Sequence, residues 1–446
     1  MTEKLWDPEL DTAPWEEVLA WQRSLMPDFL IGLRDRSPFY VDHLRAAPVE
    51  EADRDDAWRE IPFVTKDDVR RNQRERPPEL LLGTMQSVPS DRIVQVLGSS
   101  GTTGNPTFYG LTADDLERWT ESLANWMTTA GVGPGNVVAL TTGMPIVAGG
   151  MPYADAVRRA GATLAWIGGQ TTERMVRLLE LLRVDVLMGT ASFVSFFAER
   201  CEEVLGYPAR ELPIRTILAG GEPGMGHREV RRRVTEAWGV ERISEVMGLC
   251  DVLAGIWSQC GSGEGMHLTA ARNVHVELVD PETGEPIEWT GGATGEAVYT
   301  TFTRIATPMV RYRSRDHMRV VGTTCACGRT APRVECIGRT DDMLIYKAMN
   351  VFPADIRDLV VEMFPERVAG PMRLRKDTAD QVRFDDPIPL EIELTGGGDT
   401  AALAREIEES VRVALRVRVA VEPLEPGTIP LGVHKNALTY VRETAD

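Results

Sequence analysis

Apolar residues change their spacing several times along this 446-residue chain. Over roughly the first 90 residues they recur at helical intervals. Val18, Leu19, Trp21, Leu25 and Leu30 fall on one face and predict a helix over 15–33. Short β-branched runs then alternate with helical ones. Strands are predicted at Ile93 to Leu97, Val137 to Thr141, Ala162 to Ile167, Val184 to Met188 and Arg215 to Ala219. Thr112 is placed to cap a helix on which Leu116, Trp119, Leu123 and Trp126 repeat. Further helices are predicted at Glu173 to Leu182 and Ala191 to Leu205. Such alternation with short links argues for an α/β fold, a mostly parallel, doubly wound sheet covered on both faces. From about Val274 the pattern shifts to short strands and turns such as Asp280 to Gly284, an antiparallel β portion. After Arg339 a separate α+β unit is expected. Pro353 opens a helix with Ile356, Leu359, Val360 and Met363 on one side. Leu390 to Leu394 and Val417 to Val421 read as strands, and Leu403, Ile407, Val411 and Leu415 mark another helix.

Charge and composition narrow the function classes. The formal net charge is −18, from 49 basic and 67 acidic residues. That balance argues against nucleic acid as a partner, since such binding rests on a basic footprint. A hydrophobic fraction of 43% is enough for a packed core. No apolar run approaches the ~18 residues of a membrane span, and the acidic first residues lack the apolar core of a signal peptide. Six cysteines in so long a chain do not form a disulfide framework. A reduced, cytoplasmic setting is expected.

The sharpest local signal is Gly98-Ser-Ser-Gly-Thr-Thr-Gly-Asn-Pro106, directly after a predicted strand. Glycines let backbone N–H groups approach phosphate oxygens, and the hydroxyls add donors. The spacing is neither that of a Walker A loop nor that of the dinucleotide fingerprint. From the residues alone, a phosphate cradle and a capped surface turn both remain open.

In order along the chain, further segments accompany this loop. They are Gly220-Gly-Glu-Pro223, Met247-Gly-Leu-Cys-Asp251, Pro308-Met-Val-Arg-Tyr-Arg-Ser-Arg-Asp316, Cys327-Gly-Arg-Thr330, Gly338-Arg-Thr-Asp-Asp-Met-Leu-Ile345 with Asn350-Val-Phe-Pro353, and Ile429-Pro430 ahead of Lys435. Together they resemble the adenylate-forming enzymes, the acyl-CoA synthetase superfamily, and within it the phenylacetate-CoA ligase family. The resemblance implies two half-reactions. A carboxylate attacks the α-phosphate of ATP to give an acyl-adenylate and pyrophosphate, and a thiol, usually coenzyme A, then displaces AMP. It implies a nucleotide- and acid-binding domain over 1–338 and a small mobile domain over 339–446 that acts as a lid, with a hinge at 339–342. A homodimer is also implied.

Residue by residue, the resemblance assigns Ser99, Ser100, Gly101, Thr102, Thr103 and Gly104 to the ATP phosphates. Gly221, Glu222 and Pro223, with Met247 and Gly248, would pass alongside the nucleotide. Asp316 would accept both ribose hydroxyls, a task suited to two carboxylate oxygens. Arg339 would reach the ribose or phosphate, and Asp341 would lie at the hinge. Lys435 would bridge carboxylate and α-phosphate during adenylation. Asp251 stands where the family keeps a glutamate for Mg²⁺; it is still a hard oxygen ligand, one methylene shorter. Met144, Ile146 and Val147 would line the acid pocket with an aliphatic wall where relatives carry aromatic residues. An aryl or arylacetic acid is the family default, and a non-aromatic acid stays open.

Cys260, His267, Cys325 and Cys327 offer three thiolates and one imidazole, a full tetrahedral set for a structural Zn²⁺. Free, buried cysteines are the alternative. Three departures from the family pattern keep other outcomes open. Asn105 replaces a lysine, and Met247 a tyrosine. Ala348 replaces a glycine near the thiol path, which leaves a carrier-protein thiol or an amine as the acyl acceptor. Asn105, Met247 and Asp251 together would also fit a nucleotide-binding relative without chemistry.

Overall fold

The computed structural model describes residues 5–99, 107–143, 146–221, 225–226, 228–339, 344–347, 349–378, 381–395, 399–430 and 438–441. The chain forms two compact units. One comprises Met1–Gly226, Val230–Ser314 and Arg319–Glu335; the other comprises His227–Glu229, Arg315–Met318 and Cys336–Asp446.

An eleven-stranded mixed sheet carries the fold. Its parallel half runs in the order Thr163–Trp166, Val137–Leu140, Val186–Gly189, Thr216–Gly220 and Arg242–Leu249. Helices such as Thr172–Leu181, Ala191–Leu205 and Arg228–Trp238 form the connections, as right-handed crossovers between parallel strands require. The strands are nearly continuous runs of buried residues, because both faces are covered. Phe197, Val194 and Trp238 pack with Leu187 and Ile217, and the Trp238 indole donates to the Val194 carbonyl at 3.0 Å.

The remainder of the sheet turns antiparallel at Leu253–Ser258, earlier than the expected change near Val274. The Leu253–Ser258 strand is wholly buried, so its apolar run shows no alternation by which its direction could be told. Ile93 to Leu97 also behaves differently from its neighbours. Gln95–Gly98 pairs antiparallel with Phe108–Leu111 in a separate two-stranded hairpin.

The helix expected over 15–33 is two helices, Trp15–Ser24 and Met26–Arg36. Pro27 cannot donate to the carbonyl of residue 23, which breaks the run, and Leu25 at the junction is exposed. Thr112 caps Ala113–Thr129 as predicted, in a reciprocal arrangement with Asp115.

A buried arginine ties the end of the helix Asp55–Glu60 to the large unit's interior. Arg311 donates to the carbonyls of Trp58, Arg59 and Ile61 at 3.3, 3.0 and 2.8 Å. It also grips both oxygens of Glu277, at 3.2 and 3.0 Å.

In the second unit a four-stranded sheet has the order Val419–Leu424, Ile388–Leu394, Val368–Lys376, Thr439–Val441. Helices Pro353–Met363 and Thr400–Leu415 contribute Ile356, Val360, Leu403, Ile407 and Val411 to its core. Met363, expected on the packed side, is 51% exposed at the frayed end of its helix.

Asp115 does more than cap. Its buried carboxylate also accepts the amides of Ile305 and Ala306 at 2.7 and 3.0 Å. Asp115→Ala orphans the Thr112, Ile305 and Ala306 donors. It should cost about 3–5 kcal/mol, read as a lowered thermal midpoint by calorimetry.

Candidate active site

The glycine-rich segment springs from the tip of the hairpin. Its neck is fixed at both ends: the Ser99 amide donates to the Thr107 carbonyl at 2.9 Å, and the Thr107 amide to Ser99 Oγ at 3.1 Å. A side chain at Gly98 would sit 3.5 Å from Phe108 and 3.8 Å from Ile146. The Gly98 amide donates to the Ile146 carbonyl at 2.9 Å. Ser100, Gly101, Thr102, Thr103 and Gly104 lie outside the described residues, as do Glu222, Pro223, Asp341, Met144, Asn105, Ala348 and Lys435. Ile146 and Val147 are described, and Ile146 is half-exposed beside the neck.

From the neck a chain of polar groups runs inward. Ser99 Oγ meets Thr107 Oγ1 at 3.0 Å, and Thr107 Oγ1 meets the Tyr109 hydroxyl at 3.1 Å. Tyr109 accepts from Lys66 Nζ at 2.9 Å. Lys66 grips both oxygens of Asp251, at 2.8 and 3.1 Å, and the Tyr312 hydroxyl donates to Asp251 at 2.5 Å. Burial pushes the Asp251 carboxyl up, but the Lys66 charge and the bonds from Lys66, Tyr109 and Tyr312 outweigh it and hold it below its ordinary value. Burial, with Asp251 beside it, raises the Tyr109 phenol well above its usual value, so it stays protonated. Arg304 lies over the rings of Tyr109 and Trp119 and donates to the Asp251 carbonyl at 2.7 Å. Cys250 is no nucleophile: burial, then the Asp251 charge, push its thiol up to about 12.

Lys66 is absent from the sequence reading; it opens the helix Lys66–Arg74. Thr65 and Asp68 do form a capping box there. A cation at the first helical position is disfavoured by the helix dipole, and that misplacement is the signal that points to a partner elsewhere.

Gly221 and Gly248 stand at the carboxyl ends of neighbouring parallel strands, where ligands bind in open α/β sheets. Gly221 has a φ of +89°, open to glycine and strained for other residues. A side chain on Gly248 would strike the Ala254 carbonyl at 2.0 Å, at the irregularity between Met247 and Leu249. Met247 pairs with Trp257 across the strands.

In the second unit Asp316 is buried, and Arg339 Nη1 donates to its carboxylate at 3.4 Å. The preceding Arg315 has a φ of +64°, a strained backbone position of the kind that clusters at binding sites.

The three cysteines and His267 converge. Their four donor atoms lie within 4.8 Å of one another. Cys260 Sγ is 3.7 Å from Cys325 Sγ, and Cys327 Sγ is 3.5 Å from His267 Nε2. A tetrahedron with Zn–S of ~2.3 Å and Zn–N of ~2.0 Å has edges of ~3.8 and ~3.6 Å, so the spacing fits that ion. Cys260 and Cys325 each begin a tight turn closed by a glycine at +88°, Gly263 and Gly328. His267 Nδ1 lies 2.8 Å from the Ala331 carbonyl, the bond that aims Nε2 at the cluster. The hydrogen bond from Cys260, then His267, hold the Cys327 thiol far below its usual value, towards the ligating thiolate.

A family model described as AMP-binding enzyme matches residues 35–301. The phenylacetate-coenzyme A ligase of Thermus thermophilus is 31% identical, with 96% of each chain aligned. That of Escherichia coli is 30% identical over 80% of this chain and 78% of its own. A crystal structure of 2-hydroxyisobutyryl-CoA ligase, in the postadenylation state with 2-HIB-AMP, superposes with a TM-score of 0.87. It is 23% identical and covers 98% of this chain and 92% of that one, a likeness of fold. With that model matched over 35–301 and a relative 31% identical along nearly the whole length, the chain belongs to the AMP-binding enzyme family.

Proposed function

We propose that this protein is an ATP-dependent, AMP-forming acid–thiol ligase that makes an acyl-adenylate and passes the acyl group to coenzyme A. The observation that carries this reading is the bond from the Gly98 amide to the Ile146 carbonyl. It ties the neck of the phosphate loop to the wall of the acid pocket, and adenylation needs the acid's carboxylate within attack distance of a phosphate.

Within this reading the segment 99–104 holds the β- and γ-phosphates, and Lys435 steadies the carboxylate and α-phosphate as charge develops. Asp316 and Arg339 take the ribose. Lys66 supplies the positive charge that Asn105 does not. Asp251, a hard oxygen ligand, would hold the Mg²⁺ of the triphosphate, which would neutralise phosphate charge. The acid is arylacetic, as the names of the curated relatives suggest. A second reading, a branched aliphatic acid, is favoured by the aliphatic side chains of Ile146 and Val147. Zn²⁺ at Cys260, His267, Cys325 and Cys327 is structural, because protein atoms fill all four positions.

Hydroxamate trapping of adenylates across a carboxylic-acid panel tests the reaction and separates the two acids. ATP-dependent product is expected with one class, and Lys435→Ala should lower it ~10²–10³-fold. No product with any acid, despite ATP binding, would sink the proposal. Lys66→Met should raise the KM for ATP roughly tenfold, about 1.4 kcal/mol of lost phosphate attraction; an unchanged KM would remove Lys66 from the site. Elemental analysis should find one Zn per chain, and Cys327→Ser should lose it together with several degrees of thermal midpoint.

A further inference from the structure

In the large unit the helix Ala113–Thr129 shares a narrow cleft with segments 252–253, 273–274 and 301–304. Two arginines line it, Arg118 from the helix and Arg304 from the opposite wall. Arg304 is only 5% exposed. Its terminal nitrogens donate to backbone carbonyls alone, those of Asp251, Val252 and Gly110, at 2.7, 3.2 and 3.3 Å. The rings of Tyr109 and Trp119 take its faces. Its Nε–H is buried and has no acceptor. Carbonyls and rings satisfy hydrogen bonds, but they bring no full counter-charge, and a buried cation without one is costly.

Arg118 repeats the pattern. Its Nε is also buried without an acceptor. Among the described residues neither arginine forms an ion pair. The carboxylate in the cleft, Asp115, is already spoken for. One of its oxygens accepts the Ile305 amide, and the other accepts the Ala306 and Thr112 amides and the Thr112 hydroxyl. Asp115 therefore lowers the local charge without bonding either guanidinium. Two guanidinium charges against one carboxylate leave a single positive charge uncompensated.

The rest of the cleft fits a small acceptor. Asn273 Oδ1 receives the Thr303 hydroxyl at 3.0 Å, which leaves the Asn273 amide nitrogen as a further donor. Trp119, Val252, Leu253 and Val274 are buried around it and keep the dielectric low, which strengthens the pull of a cation on an anion. The enclosed space is of the order of one water molecule in size, too small for a phosphate or for an acyl group. A water there would need acceptors for its own two protons, and the side-chain carboxylate and carbonyl oxygens of the cleft are engaged. A halide only accepts.

We infer that the cleft between Arg118 and Arg304 is a binding site for a monovalent anion of halide size. The anion completes the charge balance of Arg304, whose other bonds tie the hairpin to the backbone at Asp251. It stabilises the large unit and takes no part in the transfer of the acyl group.

Bromide tests this in the full chain, because it can be both titrated and located. At constant ionic strength, exchanging gluconate for ~100 mM bromide should raise the thermal midpoint of the wild type by about 3 °C. Crystals grown in bromide should show anomalous scattering between the two guanidinium groups. Arg118→Gln should lose both the midpoint response and the anomalous peak. Arg118→Lys, which keeps the charge but not the fork, should weaken the response several-fold, and it serves alone if Arg118→Gln does not fold. A cleft that holds water only overturns the inference. So does a bromide peak with no change of midpoint in solution, which would mean binding at crystal concentration only, and so does an Arg118 variant that responds like the wild type.

Discussion

An ionised carboxylate kept away from water sets the terms for the large unit. Asp251 stays charged because Lys66, Tyr312 and Tyr109 surround it with donors. Each of these groups comes from a different part of the chain: a helix start, the first residue of the strand Tyr312–Gly322, and the hairpin behind the glycine loop. Satisfying one charge thus draws three distant segments together. Removing any donor would leave a buried anion short of partners, which costs more than the bond was worth. The neck of the glycine loop inherits its position from the same polar chain, through Tyr109, Thr107 and Ser99.

Much of the fold was readable because it rests on local patterns. Burial on both faces makes continuous apolar strands, and Thr112 and Pro353 announce their helices. The two-helix start was hidden because apolar spacing ran on through Pro27, whose missing donor matters more than the periodicity. The early turn to antiparallel pairing was hidden because Leu253–Ser258 is buried throughout, and direction leaves no trace in such a run. For the site, Cys260, His267, Cys325 and Cys327 were legible as one ligand set, and the fold brings their donor atoms together. Lys66 left only the trace of a cation at a helix start, because its partner lies 185 residues on. Within the Pro308–Asp316 segment, Arg311 and Arg313 are engaged by Glu277 and Glu296, and Tyr312 between them faces Asp251.

The second unit shows how a small sheet with helices on one face uses the other. An uncovered face of a sheet is ordinarily left to solvent. Here it carries Arg373, Arg375, Glu391, Glu422 and Tyr440, interlocked in pairs, and Glu393, held by the amides of Gly427 and Ile429. Such pairs are worth little when fully exposed, but Glu391 and Glu393 are shielded, so their geometry is more demanding. The face is built for exactness of placement more than for stability.

The link between the amino-terminal helix and the cysteine-bearing loop has a practical corollary. The Asp11 carbonyl accepts the Thr330 amide at 3.0 Å, the Thr330 hydroxyl also reaches the Ala13 carbonyl, and Arg329 lies 3.6 Å from the Asp11 carboxylate. Thr330 is three residues from Cys327. Asp11 and Ala13 are thus a brace on the loop that presents two thiols. Trimming that segment to tidy a recombinant product, or crowding it with a bulky affinity handle, would loosen the loop and expose its sulfurs to air oxidation.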